Sequence, residues 1–256
     1  TCRNGEIILI PNQLGKYQTP SVVSLTDRGL IVGDAARNNL ILSPEKTAAS
    51  FKTFMGTSKA YTLGDQSFLP EELSALVIKQ LVSDAEKFLE EPVTEAIISV
   101  PAYFNDSQRC ATKLAAQMAG VNVERLINEP SAAALYHQLT YEKKDGCIMV
   151  IDFGGGTLDV SVVECFENIV EIIGIAGDNH LGGNDVDNEI AAFFCSQNGI
   201  SVESLNPEEK AALYRQAEKA KISLSSADTA KMALAACGRE YALVLTNEKI
   251  GEICGN

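Results

Sequence analysis

The residues best suited to chemistry lie in the stretch IDFGGGTLDVSVVE, residues 151–164. Asp152 closes a run of strand-forming residues, and Gly154, Gly155, Gly156 and Thr157 follow it almost at once. A tight turn between antiparallel strands needs glycine where φ is positive, but one or two glycines are enough. Three in a row leave main-chain N–H groups without side chains above them, so an anion can approach closely. The pattern favours a phosphate-binding loop over a plain turn.

Two carboxylates flank this loop and are candidates for a magnesium site. Asp152 stands at the end of the first strand, and Asp159 lies two residues beyond Thr157 on the returning strand. Mg²⁺ prefers one or two carboxylates together with phosphate oxygens, and it keeps part of its water shell. The loop lacks the Gly-Lys-Ser/Thr run of a P-loop, which enters a helix, and it is not a GxGxxG pattern.

Composition limits the classes of function. The formal net charge of −13 argues against nucleic-acid binding, which needs a basic face. A phosphate ligand must therefore be held by local amides, a lysine and a metal ion. No apolar run reaches the roughly 18–20 residues that cross a bilayer. The 7 cysteines contain no CxxC pair and predict buried thiols in a reducing compartment, and the 2 histidines lie far apart, against a histidine-based metal site or triad.

The flanking elements alternate between hairpins and crossover helices, which predicts an α/β fold with mixed sheets. GEIILIPN is typical of a strand, and PSVVSLTDRGLIVGDAAR of two strands joined by residues 27–29. An amphipathic helix is expected from Pro70, with an apolar face that includes Leu81 and Phe88. EAIISV and ERLI read as strands, separated by a helix with Asn105 or Asp106 as its cap.

The second half repeats the alternation. IMVIDF, LDVSVVE and IVEIIGIAG predict strands, followed by a helix from about Asp185 and a long helix from Pro207 to Leu224. MALAACGREYALVLT predicts a final strand pair. At 256 residues the chain is long enough for two lobes, and the polar stretch YEKKDG marks the expected crossing between them.

Six stretches, in order along the chain, resemble the nucleotide-binding domain of the heat shock protein 70 (DnaK) chaperones. They are IPNQLGKYQTPSVVSLTDRGLIVGDAAR, SVPAYFNDSQR, RLINEPSAAAL, IDFGGGTLDVSVVE, AGDNHLGGNDVDNEI and AEKAKISLSS. The resemblance implies an actin-like ATPase fold with a ribonuclease H-like motif. Such a fold has two lobes of mixed β-sheets and flanking helices around a nucleotide cleft.

The same resemblance implies a division into subdomains. The first lobe covers residues 1–142, with subdomain IA and a shortened subdomain IB inserted at about 21–69. The second lobe covers 143–256, with IIA at about 143–182 and a truncated IIB from about 183.

Catalytic roles also follow from the resemblance. Lys52 and Glu129 occupy the positions that flank the γ-phosphate and the attacking water. Asp152 and Asp159 match the magnesium-side carboxylates, and residues 154–157, with the Thr157 hydroxyl, match the second phosphate loop. Without the family, Lys52 would be read as a surface charge and Glu129 as the first residue of a helix.

Further residues match the nucleotide-binding and signalling positions of the family. Glu218, Lys221 and Ser225 share one side of a helix that holds adenine and ribose, unless this side is only a solvated, salt-bridged face. Gly182 and Gly183 match the turn into the upper subdomain of the second lobe, as a hinge or a simple turn.

Pro101 and Arg109 match an allosteric relay that reports the nucleotide state to a substrate domain. Their plainer interpretations are a strand terminator and an exposed helix charge.

The function implied is that of an ATP-driven chaperone that binds ATP or ADP with Mg²⁺. Hydrolysis would switch a separate peptide-binding domain between weak and tight holding of unfolded client peptides in the cytoplasm. A J-domain co-chaperone would assist, and a nucleotide-exchange factor is a further candidate partner. The short span from Lys52 to Pro101, with Thr53 after the lysine, resembles the compact bacterial HscC type and casts doubt on the usual exchange factor.

The family's opening strand, with its own aspartate and Gly-Thr-Thr loop, has no counterpart in the sequence, nor does its later Gly-Gly turn. We therefore expect the 256 residues alone to hydrolyse ATP weakly or not at all. Two alternatives stay open. One is a chaperone-like scaffold that binds nucleotide without hydrolysis, against which the retention of Lys52, Glu129, Asp152 and Thr157 argues. The other is a sugar or acetate kinase, which would need an aspartate base that we do not find.

Overall fold

The computed structural model describes residues 1–3, 5–140, 145–167, 169–178 and 181–255. Its contacts divide the chain into two compact units. The first is Thr1–Ile148 with Val163–Ile173, and the second is Met149–Val162 with Gly174–Asn256. The expected crossing between lobes is YEKKDG, residues 141–146, of which 141–144 lie outside the described residues. Asn179 and His180 of the AGDNHLGGNDVDNEI stretch also lie outside them.

The strands pair in small sheets. In chain order they are β1 Cys2–Arg3, β2 Glu6–Ile7, β3 Val22–Thr26, β4 Gly29–Val32, β5 Thr47–Ala49, β6 Tyr61–Leu63, β7 Gln66–Phe68, β8 Glu95–Val100, β9 Asn122–Asn128, β10 Gly146–Phe153, β11 Leu158–Phe166, β12 Ile169–Asp178, β13 Thr229–Ala236 and β14 Arg239–Thr246. β4-β3-β5 and β10-β11-β12 are three-stranded sheets, and the other sheets among the described residues are pairs. β8 and β9 pair in parallel, because the crossover helix Asp106–Met118 joins them, whereas hairpins such as β3–β4 and β13–β14 pair antiparallel.

The helices are α1 Asp34–Arg37, α2 Asn39–Leu42, α3 Pro70–Leu89, α4 Asp106–Met118, α5 Glu129–Thr140, α6 Gly183–Asn198, α7 Pro207–Leu224 and α8 Asn247–Cys254. Short 3-10 helices occupy Pro44–Lys46, Phe51–Phe54 and Val202–Ser204. Parallel and antiparallel pairs occur together with helices, so the predicted α/β class is confirmed. None of the helices in the described ranges is long and apolar enough to span a membrane.

Several predicted elements differ from the structure. The strand expected in GEIILIPN covers only Glu6–Ile7, which pairs with the two-residue strand β1. The strand predicted for ERLI is longer, since β9 covers Asn122–Asn128, and α5 begins at the next residue, Glu129. α8 was not predicted; the Thr246 side chain caps it by accepting the Lys249 N–H at 3.1 Å.

Helix α3 forms much of the core of the first unit. It begins at Pro70, as predicted, because proline at the first helical position costs no hydrogen bond. Its first half packs into a buried cluster made of Val23, Ala48, Phe51, Leu63, Leu73 and Val77. The predicted apolar face does not continue to the end of the helix, since Leu81 and Phe88 are 47% and 44% exposed.

The core of the second unit lies between helices and the β13–β14 hairpin. Alternate residues of β13 are buried, as expected when one face of a two-stranded sheet is covered. The largest fully buried side chains there are Phe194, Ile190, Leu213, Met232 and Leu245. Helix α7 runs from Pro207 to Leu224 as predicted, and Asn206 caps it by accepting the Glu209 N–H at 2.9 Å.

The prediction of buried cysteines is wrong for most of them. Cys165 and Cys195 are buried, whereas Cys2, Cys110, Cys147, Cys237 and Cys254 are exposed; all are free thiols. Burial raises the pKa of the Cys165 and Cys195 thiols, so these two are poor nucleophiles.

Candidate functional site

The glycine loop joins β10 to β11 in the second unit. The Gly154 N–H donates to the Thr157 carbonyl at 2.9 Å, which leaves Gly155 and Gly156 as the two exposed residues at the tip. None of the three glycines has φ in the left-handed region. The turn itself therefore does not explain why side chains are missing here.

Packing within the protein does not explain it either. A Cβ on Gly156 would meet nothing within 4 Å, and one on Gly154 or Gly155 would make only ordinary contacts, at 3.6 Å or more. Since neither the backbone conformation nor neighbouring atoms require glycine, the three residues keep open a space next to main-chain N–H groups. Within the described residues, the N–H groups of Gly155 and Gly156 have no acceptor. This arrangement can bind an oxyanion.

Polar side chains flank the same loop. The Thr157 hydroxyl donates to Asp159 Oδ2 at 3.2 Å, and Asp152 is exposed near the end of β10. The described residues contain no group of three or more His, Cys, Asp or Glu side chains that could hold a metal alone. Two carboxylates next to a loop that can bind an oxyanion nevertheless suit Mg²⁺, because phosphate oxygens and water would complete its coordination.

Lys52 and Glu129 form an ion pair in the first unit. The Lys52 Nζ lies 2.7 Å from Glu129 Oε1, and the two side chains are 58% and 24% exposed. Lys52 belongs to the short helix Phe51–Phe54, which the buried Phe51 anchors to the core. Glu129 begins α5, where the helix dipole stabilises a carboxylate. The structure thus brings together two residues that the sequence places 77 positions apart.

Arg109 is not an exposed helix charge, so that plainer interpretation is wrong. Its guanidinium donates to the Phe104 carbonyl at 2.9 Å, the Asn128 Oδ1 at 2.8 Å and the Ala102 carbonyl at 3.3 Å. Pro101 is buried directly after β8. Asn128 was not predicted as a partner of Arg109. Its position directly before Glu129 in the INEP stretch was the feature of the sequence that could have indicated a role for it.

Lys221 is engaged within the protein. Its Nζ lies 2.7 Å from Asp187 Oδ2 and 2.7 Å from the Gly183 carbonyl, and the lysine side chain is 27% exposed. Glu218 is half-buried on the same helix, and Ser225 caps its C-terminal end. Lys221 thus forms a salt bridge, as the alternative describes, and the assignment of Glu218, Lys221 and Ser225 to adenine and ribose stays a prediction. Asp187, its partner, was missed because no local spacing links residues on α6 and α7.

Gly182 and Gly183 lie at the start of α6, against the glycine loop. The Gly183 N–H donates to the Gly154 carbonyl at 3.0 Å. Gly182 is buried and has φ −159°, an extended conformation open to any residue. Their assignment as a hinge stays a prediction.

Comparison with known proteins identifies the family. The profile of the Hsp70 protein family matches residues 1–63 and 57–256. The chaperone protein DnaK of Thermotoga petrophila and that of Thermotoga maritima are each 45% identical over 231 residues, which cover 87% of this chain and 38% of the relative. The DnaK of Thermotoga neapolitana is 44% identical over the same share. The chain belongs to the Hsp70 family, and it spans less than half the length of these relatives.

Proposed function

We propose that the chain binds ATP and ADP through the glycine loop, as the nucleotide-binding part of an ATP-hydrolysing chaperone. One observation carries the proposal: the three glycines are demanded neither by backbone conformation nor by packing, yet they uncover two main-chain N–H groups without acceptors among the described residues. Family membership supports a nucleotide as the ligand, since the matched relatives are named DnaK chaperones.

Asp152 and Asp159 would hold Mg²⁺ beside the loop, on the strength of their hard oxygen donors and their places next to it. When bound, the ion neutralises charge on the phosphate oxygens, which matters for a chain whose formal net charge is −13. The Gly155 and Gly156 N–H groups and the Thr157 hydroxyl would donate to the phosphates.

Lys52 and Glu129 are assigned to hydrolysis. The Lys52 ammonium would offset charge on the transferred phosphoryl group, and the Glu129 carboxylate would orient a water for in-line attack. Their 2.7 Å ion pair fixes the direction of both side chains. The adenine and ribose would contact Glu218, Lys221 and Ser225, with the Lys221 ammonium held by Asp187 and the Gly183 carbonyl.

The finer assignments rest on the resemblance alone. They comprise the actin-like fold, the HscC type, the cytoplasmic location, the J-domain co-chaperone, the exchange factor, the client peptides and the relay through Pro101 and Arg109. The coupling of hydrolysis to peptide holding belongs to the same group, because the chain covers 38% of the relatives' length.

Isothermal titration of the protein with Mg-ATP tests the proposal. A Gly156→Ala variant should fold normally, because its Cβ meets nothing within 4 Å, but it should bind at least about tenfold more weakly because the methyl group occupies the space for the ligand. Gly251→Ala is the matched control, since its Cβ also meets nothing within 4 Å. Equal affinity in both variants, or no binding by the unmodified protein, would contradict the proposal.

A further inference from the structure

Two main-chain hydrogen bonds join the first turn of α6 to the glycine loop. The Gly183 N–H donates to the Gly154 carbonyl at 3.0 Å, and the Asn184 N–H donates to the Gly155 carbonyl at 2.7 Å. N–H groups at a helix start have no partner within the helix and must find one elsewhere. Here two of these N–H groups donate to carbonyl groups of the loop and are therefore not available to a ligand.

These bonds fix which way the loop's own N–H groups point. A trans peptide is planar, and its C=O and N–H point in opposite directions. Because the carbonyls of Gly154 and Gly155 point at α6, the N–H groups of Gly155 and Gly156, which share those peptide planes, point away from it. The start of α6 therefore turns both donors toward the side where the phosphates would bind.

Gly182 makes the approach possible. A Cβ at this position would lie 2.4 Å from the Gly156 nitrogen and 2.5 Å from the carbonyl carbon and oxygen of Gly155. These are backbone atoms, so no side chain could swing aside to make room. Glycine is required at 182 by this close approach and not by its φ of −159°.

Asp185 holds the turn in place. Its Oδ2 accepts the Gly182 N–H at 2.8 Å, and the Asp185 N–H donates back to the Gly182 carbonyl at 3.1 Å. This reciprocal cap fixes residues 182–185 at the helix start. Through these two bonds Asp185 acts on the loop by way of the turn.

We infer that Gly182 and Asp185 are positioning residues for phosphate binding: the turn that they form orients the peptide groups of the glycine loop. The inference rests on the proposed function. It adds two residues that would support phosphate binding by orienting the loop and not by contacting a phosphate. The turn should affect affinity for the phosphate part of a nucleotide and leave affinity for the nucleoside part unchanged.

The test compares dissociation constants for Mg-ADP and for adenosine in the whole protein. Gly182→Ala displaces the loop, so the Kd for Mg-ADP should rise about tenfold or more while that for adenosine stays within about twofold. Asp185→Ala should act in the same direction by about threefold, and Asp185→Asn, which keeps an acceptor oxygen, should restore most of the affinity. Gly251→Ala, which has open space around its Cβ, should change neither constant.

A purely structural role would weaken both ligands together, so an unchanged ratio of the two constants overturns the inference. Thermal unfolding checks that the variants fold. If Gly182→Ala does not fold, Asp185→Ala replaces it in the test, because this variant adds no atom at the contact. The contact has a separate readout without nucleotide: Gly182→Ala should shift the amide resonances of Gly155 and Gly156, and Gly251→Ala should not. If the Gly155 and Gly156 resonances do not shift in Gly182→Ala, the inference is overturned, even if the protein binds ADP. If they shift but the unmodified protein binds no ADP, the proposed function is rejected instead.

Discussion

Lys52 and Glu129 lie 77 positions apart in the sequence and form an ion pair of 2.7 Å in the first unit. A buried aromatic neighbour anchors the lysine, and the first turn of α5 presents the glutamate. Both side chains keep solvent access, at 58% and 24% exposure, so the pair has room to engage a ligand. An exposed pair of this kind contributes little to stability, so variants of the two residues can test the proposed role in hydrolysis with little effect on folding.

Replacing Glu129 by Gln should remove turnover and leave binding intact. The amide has a similar shape but orients and activates water poorly, so the slow single-turnover hydrolysis of Mg-ATP expected of the unmodified protein should fall by a further factor of about 100 or more, with the Kd within about twofold. Rapid-quench assays with titration calorimetry measure both quantities. Lys52→Ala is the companion variant, and its free energy of unfolding should change by less than about 1 kcal/mol. Loss of ATP binding in Glu129→Gln would contradict the assigned role.

Replacing Arg109 by Ala should destabilise the first unit. The change removes three hydrogen bonds from a charged group, including the one to Asn128 next to Glu129, and we expect a loss of about 2–3 kcal/mol in the free energy of unfolding. Arg109→Lys should recover less than half, because an ammonium cannot reproduce the planar fork of donors. Urea unfolding followed by circular dichroism measures the loss.

The matched control is Arg125→Ala, since Arg125 is an exposed arginine on β9. It should change stability by no more than about 0.5 kcal/mol. If Arg109→Ala lowered the free energy of unfolding as little as the control does, the hydrogen bonds of Arg109 would not contribute to stability.

Glu209 should make the second unit more stable at neutral than at acid pH. Its carboxylate accepts the Asn206 N–H at 2.9 Å and the Cys237 N–H at 2.8 Å. These two hydrogen bonds, first the one from Asn206, hold the pKa of Glu209 below the ordinary value of a glutamate. A group whose pKa is lowered on folding stabilises the protein above its unfolded pKa, and this contribution is lost as the pH falls through the folded value.

The variant Glu209→Gln tests that sign. It should lower the urea midpoint at pH 7, and the difference from the unmodified protein should shrink as the pH falls below about 4.5. A difference that stays constant between neutral and acid pH would mean that the charge of Glu209 does not contribute.

Local signals in the sequence predicted the elements that carry the site. Pro207 marks the start of α7, Asn105 caps α4, and the strands on both sides of the glycine loop lie where IMVIDF and LDVSVVE predicted them. These features depend on residues a few positions apart. For that reason they can be predicted without knowledge of the tertiary fold.

Non-local contacts could not be predicted in this way. Asn128 binds Arg109, and Asp187 binds Lys221, across 19 and 34 positions. The exposure of Phe88 depends on which elements lie beside the second half of α3, and helical periodicity does not encode this. The requirement for glycine at 182 is of the same kind, because it arises from contact with the loop at 155–156.

The most direct test of the central claim is a titration of the ¹⁵N-labelled protein with Mg-ADP, followed by the amide resonances of the glycine loop. We predict that the Gly155 and Gly156 amides show the largest shifts in the second unit and that adenosine alone leaves them in place. Saturation with Mg-ADP that shifts other residues while these two amides stay unchanged would contradict the claim that the loop binds phosphate.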